Sequence, residues 1–108
     1  MKIENTKAQM RKGILEFCIL QLLKKEEMYP SDIIHALKES KLIVVEGTLY
    51  PLLTRLKNAE ILDYRWEESK SGPPRKYYKL TALGEDVLQE LTQTWEELLI
   101  AVKRTIKD

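Results

Sequence analysis

The run from Glu46 to Leu80 constrains the fold of this chain more than any other segment. Its first part repeats leucine at intervals of three and four, which predicts an amphipathic helix beginning near 46–48. Its second part alternates apolar and polar residues on either side of a Gly-Pro-Pro breaker, which predicts a β-hairpin. A helix that fits the major groove beside a basic ribbon is an arrangement that reads double-stranded DNA.

The same run predicts which of its residues face the core and where its strands lie. We expect strands over Leu62–Glu67 and Arg75–Leu80, with a loop over Glu68–Pro74. Tyr78 and Leu80 are interpreted as core residues. The leucines expected to face inward are Leu49, Leu52, Leu53 and Leu56.

Two helices are predicted ahead of this run. The first covers Ala8–Lys25, and its apolar residues wrap beyond a single stripe, so one face would serve the core and another a partner subunit. The second starts at Pro30, which suits a first helical position, and extends to about Ser40. The link Leu42–Val45 is β-prone and is expected to form a minimal strand.

A final long helix is predicted after Thr81, a residue suited to an N-cap. At about 1.5 Å per residue it is about 37 Å long, which exceeds the diameter of a compact three-helix body. Part of its apolar stripe therefore needs a partner. The stripe consists of Leu83, Val87, Leu91, Trp95, Leu98, Val102 and Ile106.

Composition excludes several classes of protein. No run of about 18 apolar residues exists, which argues against a membrane span. The N-terminus lacks an apolar signal core and Cys18 is the only cysteine, so we expect a cytoplasmic protein. His35 is the only histidine, and no phosphate loop or nucleophile motif is present. We therefore expect no metal, no cofactor and no enzymatic activity.

The charge is unevenly distributed along the chain. Residues 1–80 contain 15 Lys/Arg and 11 Asp/Glu, a net +4, whereas residues 81–108 contain 3 and 6, a net −3. A mildly basic body with an acidic tail is typical of a nucleic-acid binder whose tail faces away from the phosphates.

Two motifs carry a resemblance to a known family. Gly47–Leu56 (GTLYPLLTRL) and Gly72–Thr81 (GPPRKYYKLT), followed by Gly84, are similar to the signature of PadR-type transcriptional regulators. The resemblance implies a mostly α fold with a small β-hairpin: a winged helix-turn-helix DNA-binding domain over 1–80 and one long C-terminal dimerisation helix over 81–108, together one compact unit. It places the chain in the short subgroup of the family. It further implies a homodimer that binds an inverted repeat in DNA and usually represses.

One position departs from the family pattern. Many members have glycine where Glu60 stands, directly after the third helix, at a position that suits a left-handed cap. We expect Asn58 or a wider turn to compensate.

Residues with outward side chains in the third helix and the hairpin are the candidate DNA contacts. Thr48 and Tyr50 offer hydroxyl groups, and Pro51 offers an apolar surface for a thymine methyl. Arg55 suits a phosphate. For Tyr50 the alternative is a half-buried core aromatic, and for Arg55 a surface ion pair with an acidic residue nearby such as Glu60 or Asp63.

The hairpin, or wing, offers cations for the DNA backbone or a minor groove. The alternative is a solvated tip, since Glu67 and Glu68 partly cancel the local field. The candidate DNA-binding residues are Tyr29, Ser31, Thr48, Tyr50, Pro51, Arg55, Lys70, Gly72, Arg75 and Lys76.

Trp95 marks a second candidate site, for dimerisation or for an effector. The resemblance to drug-responsive members of the short subgroup implies that flat hydrophobic aromatics stack there, and Glu96 and Glu97 would favour cationic ones. The alternative is that Trp95 only anchors the dimer interface. The residues assigned to this site are Leu15, Ile19, Leu91, Trp95, Leu98, Leu99 and Val102.

The leading interpretation is a homodimeric, DNA-binding repressor, with a hydrophobic or aromatic small molecule as the candidate effector that releases it. A further interpretation is a constitutive repressor that responds to no ligand. The rival from a different class is a winged-helix module that binds proteins and not DNA.

Overall fold

The computed structural model describes residues 1–107 and has the element order of a winged helix with one added C-terminal helix. This confirms the predicted fold class. The elements are α1 (Ile3–Lys25), α2 (Pro30–Glu39), α3 (Glu46–Asn58), β1 (Leu62–Ser69), β2 (Gly72–Leu80) and α4 (Ala82–Ile106). Among the described helices, none has a stretch long and apolar enough to cross a bilayer.

The core lies where α1, α2 and α3 meet the base of the hairpin. Ile19, Ile33 and Leu53 are fully enclosed there, and burying each such side chain contributes about 1.5–3 kcal/mol. The prediction for α3 is confirmed, since Leu49, Leu53 and Leu56 are buried and Leu52 is partly buried against them. Tyr78 is buried as predicted, and Leu80 packs on the core's edge.

Helix α1 begins five residues before the predicted start at Ala8. The added turns carry no apolar stripe because they lie beyond the core, and they are exposed apart from the half-buried Thr6. A search for hydrophobic periodicity therefore could not detect them.

The hairpin is longer than predicted, and the expected loop over Glu68–Pro74 is wrong. Strand β1 continues to Ser69 and β2 already starts at Gly72, so only residues 70–71 make the turn. The strand register shifts between Glu67 and Ser69. Pro73 and Pro74 lie in this irregular stretch of a two-stranded sheet, where their missing N–H groups interrupt no regular ladder.

The minimal strand expected over Leu42–Val45 is also wrong. That segment is irregular, and among its residues Val44 alone is buried. The extended residue that pairs with the wing is Met28, whose N–H donates to the Tyr78 carbonyl at 3.1 Å and whose carbonyl accepts from the Tyr78 N–H at 2.9 Å.

The turn after α3 is closed by Glu60 itself, which adopts a left-handed conformation with φ 64°. The expected compensation by Asn58 or by a wider turn is therefore wrong. The N–H of Ile61 donates to the Leu56 carbonyl at 3.0 Å, as in a glycine-capped helix end.

This turn is joined to the start of α4. Thr81 caps α4 as predicted, accepting from the Gly84 N–H at 3.0 Å. Its hydroxyl donates to the Glu60 carbonyl at 2.6 Å. Gly84 is buried so closely that a Cβ there would overlap the carbonyl oxygen of Ile61. The end of α3 and the start of α4 are thus held as one unit.

Candidate nucleic-acid interface

A groove of about 500 Å³ separates the start of α2 from α3 and the wing; we call it the wing groove. It brings together five of the ten predicted DNA-binding residues: Tyr29, Ser31, Tyr50, Arg75 and Lys76. Its remaining lining residues are Pro30, Thr54, Trp66, Pro74 and Tyr78. Three elements that are separate in sequence therefore share one concave, cationic and aromatic surface.

The start of α2 forms one wall of the wing groove. Pro30 occupies the first helical position, and the carboxylate of Asp32 accepts a hydrogen bond from the Tyr29 N–H at 3.1 Å. The Tyr29 ring stacks on the Tyr77 ring with centroids 3.8 Å apart, and the Arg75 guanidinium lies 5.1 Å from the Tyr29 centroid. These contacts tie the wing to α2 and hold Arg75 at the groove.

The Tyr77 hydroxyl remains protonated across the physiological range. A side-chain hydrogen bond with Tyr29, assisted by desolvation, raises the pKa of Tyr77 from 10.0 to about 12. Tyr77 is therefore a neutral hydrogen-bonding group that adds no negative charge beside the wing groove.

Lys76 carries the other wing charge between two aromatic rings. Its ammonium lies 4.4 Å from the Tyr64 centroid and 5.2 Å from the Trp66 centroid. Trp66 is the register partner of Lys76 on β1, so the strand pairing itself places ring and charge together. Cation–π contact restrains the side chain without neutralising its charge, which leaves Lys76 available to an anion.

Helix α3 presents Tyr50 and Pro51 outward. Tyr50 is 46% exposed, so it is not the half-buried core aromatic considered as the alternative. Pro51 lacks the N–H that would bond the Gly47 carbonyl one turn earlier. That carbonyl lies at the exposed start of α3, where it can accept a hydrogen bond from outside the helix.

Thr48 and Arg55 lie on a different side of α3 from the wing groove. Thr48 borders a second groove, between α3 and α1. Arg55 forms an ion pair with Glu16 of α1. The alternative considered for Arg55, a surface ion pair, is thus realised with Glu16, and not with Glu60 or Asp63.

Lys70 and Gly72 are exposed at the wing tip, outside the wing groove. Five residues that line the groove were not among the predicted DNA contacts, and Thr54 and Trp66 are two of them. Trp66 is 61% exposed. Its alternation with charged neighbours suggested a half-buried strand residue, and only the hairpin register reveals that it faces Lys76.

The comparisons with known proteins agree with this architecture. Residues 19–90, two-thirds of the chain, match the family described as the transcriptional regulator PadR-like family. The chain belongs to the PadR-like family.

Solved PadR-like structures resemble the chain over nearly its whole length. A PadR-like transcription factor from Bacteroides fragilis is 63% identical, with 94% of this chain and 98% of that one covered and a TM-score of 0.79. A PadR-family regulator from Eggerthella lenta DSM 2243 is 30% identical, with 97% and 92% covered and a TM-score of 0.89. A PadR-like regulator from Bacillus cereus ATCC 14579 is 35% identical, with 93% and 98% covered and a TM-score of 0.81.

Membership of the PadR-like family identifies the chain as a DNA-binding transcriptional regulator with a winged helix. The wing groove is the candidate for its nucleic-acid interface. Among the described residues no cluster of His, Cys, Asp and Glu has the arrangement of a metal site.

The second candidate site of this PadR-like protein lies on α4 and α1. Trp95 is 38% exposed, and its ring lies 6.3 Å from that of Phe17 on α1. Leu98, Leu99 and Val102 are exposed, whereas Leu91 is half-buried. Leu15 and Ile19 differ from the rest of the predicted set, because both are buried within the protomer and Ile19 is completely enclosed. Ile19 therefore offers no surface to a partner or a ligand.

Proposed function

We propose that this PadR-like regulator is a homodimeric repressor of an inverted-repeat operator. Each protomer inserts α3 into the major groove, and its wing follows the flanking backbone. The observation that carries the proposal is the wing groove, where Tyr29 and Ser31 of α2, Tyr50 of α3, and Arg75 and Lys76 of the wing converge. Base-edge contacts would come from α3, and the phosphate contacts would set its register on the duplex.

The dimer is proposed from the surface of α4. Its buried residues, Gly84 and Leu88, lie in its first two turns, whereas its second half exposes an apolar row. This row comprises Trp95, Leu98, Leu99, Val102 and Ile106. A contiguous apolar surface on a protomer marks an association site, and a C2 dimer would bury the same row from both copies. In this division of roles, residues 1–80 bind DNA and α4 dimerises.

An effector of this regulator would bind beside the Trp95 ring, at the proposed dimer interface. The exposed ring, with Phe17 beside it and carboxylates at Glu96 and Glu97, favours a flat and cationic aromatic molecule. Its effect on DNA binding is limited by its differential affinity for the two arrangements of the dimer.

The deciding experiment is fluorescence anisotropy of a labelled duplex from the gene's own promoter, titrated with protein at several salt concentrations. We expect saturable binding, a logarithmic salt slope of several units, and competition by the unlabelled inverted repeat but not by a scrambled duplex. Absence of any complex at low salt would refute the proposal. It would favour the rival in which α4 docks on another protein.

A further inference from the structure

The N-terminal half of α1 forms a groove with the start of α3; we call it the α1 groove. Its volume is about 350 Å³. The α1 residues that line it are Ala8, Arg11, Lys12 and Leu15, at intervals that place them on one face of the helix. The opposite wall is the loop Leu42–Val45 together with Thr48 of α3.

Two cations of this groove have no ion-pair partner among the residues that the structure describes. Among residues 1–107, no carboxylate lies within 4 Å of the charged groups of Arg11 or Lys12. Two other cations of α1 and α3 are paired: Lys7 with Glu4 at 3.6 Å, and Arg55 with Glu16. Arg11 and Lys12 therefore give the α1 groove two positive charges that have no ion-pair partner among residues 1–107.

The α1 groove and the wing groove lie on different flanks of the same helix. Thr48 borders the α1 groove and Tyr50 the wing groove. Residues two positions apart in an α-helix, such as Thr48 and Tyr50, lie about 200° apart around its axis. When a helix lies in the major groove, its flanks face the two phosphate backbones that border the groove.

We propose that Arg11 and Lys12 bind DNA phosphates on the flank of α3 away from the wing. This inference rests on the proposed role of α3 as the recognition helix. The backbone would then be held on both sides of α3, by the wing through Arg75 and Lys76 and by α1 through Arg11 and Lys12. Thr48 would lie between the α1 cations and the bases.

The competing occupant of the α1 groove is the end of α4 from a second copy, since Ile43 and Val45 expose apolar surface at its rim. Electrostatic repulsion argues against the end of α4 as the occupant. The last turn of α4 carries Lys103 and Arg104, which Arg11 and Lys12 would repel. A phosphate backbone has the complementary charge.

The test compares two double variants of the full chain that each remove two positive charges from α1. The first, Arg11→Ala with Lys12→Ala, empties the α1 groove of charge. The control, Lys24→Ala with Lys25→Ala, removes the same charge from the other end of α1. Anisotropy with the promoter duplex is measured across salt, and circular dichroism and light scattering verify folding and oligomeric state.

We expect the Arg11/Lys12 variant to bind the promoter duplex at least tenfold more weakly than the wild type does. Its salt slope should fall by about 3.6 per dimer, because each lost phosphate contact contributes about 0.9. The control should retain a slope within about one unit of the wild-type value. A hydroxyl-radical footprint should lose backbone protection on one side of each half-site.

Two results would overturn the inference while leaving the proposed function intact. One is a wild-type salt slope in the Arg11/Lys12 variant. The other is a dimer that dissociates in this variant, which would assign the α1 groove to a second copy. If the wild-type protein itself does not bind the duplex, the proposed function fails and the inference fails with it.

Discussion

Arg55 of α3 forms an ion pair with Glu16 of α1. The carboxylate side chain is 30% exposed and the guanidinium side chain 61% exposed, so the pair lies at the rim of the core. The pair joins α3 to α1 and neutralises Arg55, for which the sequence predicted a phosphate contact. Arg75 and Lys76 on the wing, and Arg11 and Lys12 in the α1 groove, have no carboxylate within 4 Å among the described residues.

Replacing Arg55 by Ala should therefore affect stability more than DNA binding. Because the pair is partly solvated, we expect the free energy of unfolding to fall by about 0.2–1 kcal/mol in urea titrations at fixed protein concentration. The double variant with Glu16→Gln should be no less stable than the two single changes imply. A salt slope about 1.8 lower per dimer would contradict this and make Arg55 a phosphate contact.

Lys76→Ala should weaken DNA binding and lower the salt slope by about 1.8 per dimer, since one phosphate contact is lost in each protomer. Trp66→Leu is the matched control, because it removes an aromatic ring beside Lys76 and keeps the charge. We expect Trp66→Leu to weaken binding with an unchanged slope. Equal slopes for Lys76→Ala and the wild type would exclude Lys76 from the interface.

Gly84→Ala should destabilise the protein, because the added Cβ overlaps the Ile61 carbonyl at the junction of α3 and α4. An overpacked site of this kind typically costs about 1–3 kcal/mol. Gly13→Ala is the control, because the added Cβ would meet no atom within 4 Å beyond its chain neighbours and the nearby backbone of its own helix. That change should stabilise the helix by about 0.5–1 kcal/mol. The free energy of unfolding of both variants is measured by urea denaturation at equal protein concentration. An unchanged stability of Gly84→Ala would refute the close packing of Gly84 against the Ile61 carbonyl.

Leu98→Glu should convert the proposed dimer into a monomer, because it introduces a charge into the exposed apolar row of α4. Light scattering should then give the protomer mass of 12.7 kDa, whereas the wild type should give twice that mass. Gln93→Glu, on the polar side of α4, is the control and should remain dimeric. If the wild type itself is a monomer at micromolar concentration, the proposed role of α4 is refuted.

Much of the fold was predictable because its signals are local. The leucine spacing of α3, the proline at the start of α2 and the Thr81 cap each act within one or two helical turns. The predictions failed where distant parts of the chain decide the structure. Pro73 and Pro74 indicated a loop, but cross-strand pairing continues past them. Glu60 adopts a left-handed conformation in a turn whose carbonyl groups are held by Thr81, 21 residues later.

The candidate site likewise combines residues that the sequence identifies with an arrangement that only distant contacts determine. The sequence identified Tyr29, Tyr50 and Lys76 separately, by their chemistry and their place in a family motif. It could not show that they border one groove, or that Trp66 shares it, because this depends on hairpin register and on the packing of α2 against the wing.

The sequence by itself determined the winged helix, the family and the apolar stripe of α4, because helical periodicity, caps and turns depend on neighbouring residues. Only the tertiary structure decided which cations remain available. Arg55 is neutralised by Glu16, whereas Arg11 and Lys12 are not paired within the described chain. The physical reason is that ion pairing depends on distances of a few ångströms between helices, and those distances are set by packing.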